Sequence, residues 1–447
     1  MTAKEVIESM VRVTKEHPAF FLLVLSLFVG SGISYGNIYL FHFALPITFL
    51  VTLYRLRSFN VLLKRIFVPL HLLFGFVFLI SLTQNMDFKF IYFYGVAYFT
   101  LITFILNSDF IRERWRTLIA LIFALVLLDS LIGALEIVSS FRFPISSLSG
   151  MNDYFGRDHD FFASYDGCFD LSYSLSSPTG FHWNQNNFAF VLIQFLPFTF
   201  WINKSKWKNI LRAILLLLIL ATGSRIGVYI TAVLLLTLVL IEYKQKSLWA
   251  LVPVLTIALL LTDGFYFFPL RSKKIKEVAL ISQSEFTDRF PDHCYDKPRS
   301  EASRVELTKI GIDELKKNPI IGKGAGSMVK VIENRNNQQA DGKLITVSPH
   351  NFLLEFFVDF GLIMLLPLGW LIYTMYRRMK VLPLKICIPI ALYFVALIPA
   401  TAMISSLVYF LPFYLFLFLI VVFVLKTEDQ PWDEKLDNGT VSNELIY

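Results

Sequence analysis

His350 follows Ser348-Pro349 and precedes Asn351 at the head of a long apolar run. Serine suits a helix N-cap and proline the first helical position. That spacing predicts His350 in a first helical turn, where the helix field disfavours a protonated imidazole. A neutral imidazole there is a competent general base; the alternative is an interfacial histidine without a role. Asn351, Glu355 and Asp359 continue the same helix, the two acids four residues apart. Acids inside an apolar run are costly unless they face the bundle interior or water.

A second pattern is Thr222-Gly-Ser224-Arg225-Ile-Gly227, a tight turn between two apolar runs. Ser224 can cap the second run, which puts Arg225 in its first turn, where a cation opposes the helix dipole. Such a placement fits an arginine that binds a phosphate beside the capping amides, or one that snorkels to the interface. A third is Arg304, on an amphipathic stretch from Ser300 to Asn318 that ends at Pro319, followed by Gly322-Lys-Gly-Ala-Gly326. The glycines follow no strand and read as a flexible turn, not a nucleotide loop. Asn186, in Gly180-Phe-His-Trp-Asn-Gln-Asn-Asn-Phe-Ala189, reads as the opening of another run.

Weaker signals fall elsewhere. Asp158-His159-Asp160 reads as a solvated acidic cluster or a cation site, and there is no HExxH or CxxC zinc spacing. Of the three cysteines, Cys168 and Cys294 are expected on the same side of the membrane, with a disulfide open between them, and Cys387 free within a run.

The elements that must position these residues follow from composition. Of 447 residues, 55% are hydrophobic and 17% charged, against about a quarter charged in soluble domains. This excludes a soluble multidomain enzyme, a disordered chain and a disulfide framework. Apolar runs at about 18–35, 37–54, 66–83, 89–106, 117–138, 184–202, 208–223, 224–242, 247–265, 350–376, 384–401 and 405–425 predict an all-α integral membrane protein of about twelve spans. The basic opening segment reads as leading into a first membrane helix, not a cleaved signal peptide. Lys and Arg cluster in alternate short loops, among them Arg55, Arg57, Lys64 and Arg65, then Arg112, Arg114 and Arg116, then Arg377, Arg378 and Lys380. The short loops near 34–36, 84–88 and 402–404 have none. Positive-inside logic puts both termini in the cytoplasm. The net charge of +7 is thus a topology signal, with no nucleic-acid partner implied.

The expected organisation is a cytoplasmic N-terminus at 1–17, five spans over 18–138 and a long outward loop at 139–181. Spans six to nine occupy 182–265, a second outward loop 266–349, spans ten to twelve 350–425, and a cytoplasmic tail 426–447. Mid-span charge is sparse, with Asp129 and Glu136 of the fifth span as exceptions. A transporter or flippase predicts mid-span charges and symmetry between halves; the polar residues gather instead at the outward ends of the runs.

Four blocks in order, Gly180–Ala189, Thr222–Arg225, Arg304 through Gly324, and Pro349-His350-Asn351 through Gly361, resemble the O-antigen ligase and polysaccharide polymerase superfamily of bacterial inner membranes. Ten residues separate His350 from Gly361, as in that family's histidine-to-glycine motif. The resemblance implies a glycosyltransferase with its site facing the periplasm and a donor glycan carried on undecaprenyl pyrophosphate. Transfer to a sugar hydroxyl would invert the anomeric carbon without metal or cofactor. His350 would accept the acceptor's proton, and Arg225 and Arg304 would hold the pyrophosphate with bidentate guanidinium forks. Ser224, Asn186, Asn351, Glu355 and Asp359 would bind substrate. A polymerase would extend a second lipid-linked repeat, alongside a chain-length regulator; a ligase would use lipid A-core. The long first loop and the Gly180–Ala189 block look more like the polymerase members.

Overall fold

The computed structural model describes residues 11, 14–56, 59–84, 87–139, 141–146, 149, 151–155, 177–202, 205–243, 300–338, 351–404 and 407–427. The expected ninth span, Asp158–Asp160, Cys168, Cys294, His350 and the C-terminal tail from residue 428 on lie outside the described residues. Cys387 is free, its thiol 3.0 Å from the Met379 carbonyl.

Among the described residues the fold is all-α apart from one two-stranded hairpin, Ser34–Tyr35 against Ile38–Tyr39. The helices are α1 Pro18–Val29, α2 Leu40–Arg55, α3 Val68–Thr83, α4 Phe88–Leu106, α5 Ser108–Glu113 and α6 Trp115–Val138. Then come α7 Gln185–Phe195, α8 Ser205–Thr222, α9 Arg225–Tyr243, α10 Ser300–Lys317, α11 Ser327–Gln338, α12 Phe352–Phe360, α13 Leu365–Met379, α14 Leu384–Ala400 and α15 Leu411–Lys426. Among the described residues, Arg65–Thr83, Phe88–Leu106 and Trp115–Val138 are long and apolar enough to cross a membrane unbroken. Five shorter apolar helices accompany them, including Leu40–Arg55 and Leu411–Lys426.

The last helix is the centre of the bundle. Every residue of α15 except Leu417 is buried, as a helix apolar on all sides should be. Within a bilayer such packing is held by van der Waals contact more than by exclusion of water. Trp115 of α6 stacks on Phe423 of α15 with ring centroids 3.8 Å apart. Lys426, buried at the end of α15, pairs with Asp109 at 2.6 Å.

Several basic residues of the short loops and of the helix turns beside them collect with it at that end of the bundle. Arg114 pairs with Glu16 at 3.0 Å, Arg212 and Lys208 share Glu242, and Arg378 donates to the Thr427 carbonyl. The opposite end gathers the starts of α7, α9, α12 and α15 with the ends of α1, α3 and α14. A Cβ on Gly30 would lie 3.4 Å from Pro412, Phe352 N–H donates to the Thr401 carbonyl, and Ala325 N–H donates to Ser81 Oγ.

Two sequence expectations are corrected here. The run 350–376 is not one straight span: Phe352–Phe360 and Leu362–Met379 are bent by 105° at Gly361. Gly361 has φ +77°, outside the helical region and costly for any side chain. The run 18–35 is also not helical throughout, because the chain leaves α1 at Gly30, with φ +56°, and turns into the hairpin. Both glycines are read as apolar by composition, so the pattern hides the break.

Candidate functional site

The site grows from the bend at Gly361. Around it the segment Pro319–Gly324 runs beside residues 358–363 like a short paired ribbon. Leu362 N–H donates to the Pro319 carbonyl at 2.8 Å, Ile363 N–H to Ile320 at 3.1 Å, and Gly324 N–H to the Asp359 carbonyl at 2.7 Å. A Cβ on Gly322 would collide with the Asp359 backbone, and one on Gly361 with the Ile320 carbonyl. The glycines expected to make a flexible turn are instead a docked one, chosen for close backbone approach.

Asp359 completes that docking. Its carboxylate accepts from Gly326 N–H at 2.7 Å, Ser327 Oγ at 2.8 Å and Met328 N–H at 3.1 Å. These are the first amides of α11, so the acid sits on the positive end of that helix. The glycine-rich turn does bind an anion, and the anion is the protein's own. Asp359 therefore lies at the end of the nine-residue α12, fully buried, instead of deep in a straight span.

One turn earlier, Glu355 is the opposite case. It is 1% exposed, and among the described residues neither of its carboxylate oxygens has a hydrogen-bond partner. Tyr94 Oη, also buried, lacks one too. Tyr94, Tyr409 and Tyr414 lie within electrostatic range of Glu355. An unpaired buried carboxyl costs several kcal/mol by general transfer energetics, so its retention needs a reason.

The caps differ from the sequence reading. Helix α12 opens at Phe352 with Asn351 as N-cap, the Asn351 side chain accepting from Leu354 N–H at 3.1 Å. The expected cap, Ser348, precedes it by three residues, and His350 falls before the cap in sequence. On α7 the cap is Asn184, which accepts from Asn187 N–H at 3.0 Å; Asn186 is half-buried in the first turn. Ser224 caps α9 as expected, though loosely, its Oγ 3.4 Å from Gly227 N–H. Arg225 is the first residue of α9, and Arg304 lies in the first half of α10; only the backbone of each is described.

The turn after α14 brings two of these pieces together. Phe352 N–H reaches the Thr401 carbonyl, and a Cβ on Gly227 would lie 3.0 Å from Met403. The start of α12 and the Arg225 turn thus both abut residues 401–403. Helix α10 runs alongside α12 in the same direction: Gly311 abuts Leu354, and Pro319 pairs with Leu362. Leu307, Ile310, Met328, Ile332 and Val358 form a small apolar cluster that fixes this register. The N-terminal half of α10, carrying Arg304, therefore extends toward the Asn351 end. Glu314, near the end of α10, accepts from both Lys317 and Lys323. Burial pushes its carboxyl up, but the two ammonium groups outweigh this and hold it below the usual range. It ties α10 to the glycine turn.

Sequence reasoning missed what the acids of α6 do. Asp129 accepts from Phe181 N–H at 2.8 Å and meets His182 Nε2 at 3.0 Å. Glu136 accepts from Phe143 N–H, Thr179 N–H, Thr179 Oγ1 and Gly180 N–H. Both acids are fully buried. They pin the chain just before α7 into the bundle and set the position of Asn184–Asn187; a conduction path would leave them facing a channel. Histidine 182, two residues from Asn184, was the available signal.

Among the described residues no group of three or more His, Cys, Asp or Glu could hold a metal ion. Residues 210–369 match the family model described as O-Antigen ligase. No curated protein matches the chain significantly. Three of the four sequence blocks fall inside the matched stretch; Gly180–Ala189 lies before it, at the same end of the bundle. The stretch 210–369 matches the O-antigen ligase and polymerase superfamily, as the blocks implied.

Proposed function

We propose that this protein transfers a glycan from undecaprenyl pyrophosphate to a sugar hydroxyl at the periplasmic face of a bacterial inner membrane, by inversion and without metal. The observation that carries this reading is the O-Antigen ligase match over a stretch whose Arg225 turn and α12 start meet at one end of the bundle. The short loops of that end near 34–36, 84–88 and 402–404 have no Lys or Arg, while the other end collects Arg114, Lys208, Arg212, Arg378 and Lys426, which supports the proposed twelve-span topology with the site outward.

In this reading His350 takes the acceptor's proton, and Arg225 and Arg304 hold the pyrophosphate as the glycosidic bond to it breaks. Asn186, Ser224 and Asn351 line the approach. Glu355, buried and without protein partners among the described residues, is assigned to substrate in this reading, because a carboxyl group left unpaired by the protein can accept from a sugar hydroxyl brought to it. Glu355→Gln is the informative variant. It keeps shape and removes an unpaired buried acid, so the thermal midpoint should hold or rise while transfer falls about tenfold or more. A variant that transfers normally would return Glu355 to a passive role.

Two acceptors are compatible with this reading. The family description favours ligation to lipid A-core; the long first loop favours polymerisation of repeats, with a chain-length regulator as partner. A lipopolysaccharide gel from a strain lacking the gene separates them. Core with a single repeat and no ladder means polymerase, and bare core with polymer left on its lipid carrier means ligase. An unchanged surface glycan, with no paralogue present, would overturn glycan transfer itself.

A further inference from the structure

The turn at Pro319–Ile321 belongs to the segment read as a water-exposed loop, yet it presents two large apolar side chains outward. Ile320 is 67% exposed and Ile321 48%. Two isoleucines in a row at a tip in water would be an apolar liability. Their backbone is hydrogen-bonded to the top of the bent helix pair: Leu362 N–H donates to Pro319 and Ile363 N–H to Ile320. From that point the exposed face of the apolar helix continues through Leu362, Leu365 and Leu366, the surface a spanning helix shows to lipid. The two isoleucines extend this lipid-facing surface by one step beyond the helix.

A basic rim borders them. Lys316 and Lys317 in the last turn of α10 are 74% and 59% exposed at the side chain, and Lys323 follows the turn. Apolar side chains at a tip with lysines just behind it is the charge and hydropathy order of an element seated in the headgroup region. The mounting is rigid: Gly322 and Gly361 pack backbone on backbone, and Glu314 holds Lys317 and Lys323 together.

We infer that the Pro319–Ile321 turn dips into the bilayer leaflet on its side, with Ile320 and Ile321 among acyl chains and Lys316 and Lys317 against lipid phosphates. The occupant is the phospholipid surface itself. The inference uses the membrane character of the bundle and is independent of glycan transfer, so either can fail alone. If both hold, the dipping turn sets α10, and Arg304 with it, at the height of a lipid-borne pyrophosphate.

The test places a nitroxide at Ile320→Cys, with Cys168, Cys294 and Cys387 replaced, in nanodiscs of phosphatidylcholine with or without one quarter phosphatidylglycerol. Asp313→Cys, on the exposed face of α10, serves as the aqueous reference. Dipping predicts that at 320 oxygen collides several-fold more than a water-soluble nickel chelate, with the reverse at 313. It also predicts deeper immersion with phosphatidylglycerol, lost in Lys316→Glu. Equal nickel accessibility at 320 and 313 would overturn the inference. So would shielding from both reagents, since protein would then cover the turn. Immersion indifferent to phosphatidylglycerol would overturn the lysine contact. Ile321→Cys repeats the measurement should the first variant misfold.

Discussion

Replacing His350 with alanine is expected to abolish glycan transfer, with the protein still inserted at normal level. A positioned base contributes about a hundredfold to ten-thousandfold, and a sugar hydroxyl is a poor nucleophile until its proton has somewhere to go. The readout is the surface-glycan gel of a deletion strain carrying the variant, beside an immunoblot of membranes. A ladder of wild-type length and amount would take the base role away from His350. The position is favourable for such a group: Asn351, the next residue, is locked as the N-cap of α12, and the Thr401 carbonyl holds Phe352. Wherever the imidazole is needed, its C-terminal neighbour is fixed.

The second large effect is on stability. Asp359→Ala should destabilise the protein by about 3 kcal/mol or more, because two amides and one hydroxyl lose their only described acceptor at once, at about 1–3 kcal/mol for each orphaned donor. Asp359→Asn keeps one oxygen and should fall between. Thermal unfolding in detergent measures both. The pairing with Glu355→Gln is diagnostic: one acid is saturated by the protein and the other by nothing. If Asp359→Ala melts like the parent, its carboxylate is held for a substrate and not for the scaffold.

These two acids also show how far the sequence could be read. Their spacing placed them on one face of one helix, and that is where they are. Their opposite roles were hidden, because the partners of Asp359 lie more than thirty residues earlier in the chain. The bend at Gly361 was hidden for a related reason: the glycine interrupts an apolar run without changing its hydropathy, and the ribbon that stabilises it comes from residues 319–324. Caps were misplaced where several cap-forming residues compete. Ser348 and Asn351 stand three apart, and Asn184, Asn186 and Asn187 crowd one helix start; local sequence ranks them equally. By contrast, the helix over 300–318 ending at Pro319 and the capped turn at Ser224 were legible, since each depends on neighbours within a turn.

The acids of α6 have a consequence for biogenesis. Asp129 and Glu136 enter the bilayer with their helix; Glu136 meets Phe143 seven residues on, but the other partners of both acids, at Thr179–His182, are more than forty residues further on. During synthesis, then, this helix emerges carrying two carboxyl groups before Thr179–His182 have been made. An acid at a helix centre costs about 2.5–3.5 kcal/mol to insert, and Asp129, well inside Trp115–Val138, is offset by the long apolar stretch around it. The final seating of this helix is thereby completed only with the chain leading into the start of α7. The two halves of the bundle are joined through an order of assembly, and a chain truncated between 139 and 178 should be recognised by quality control as unfinished.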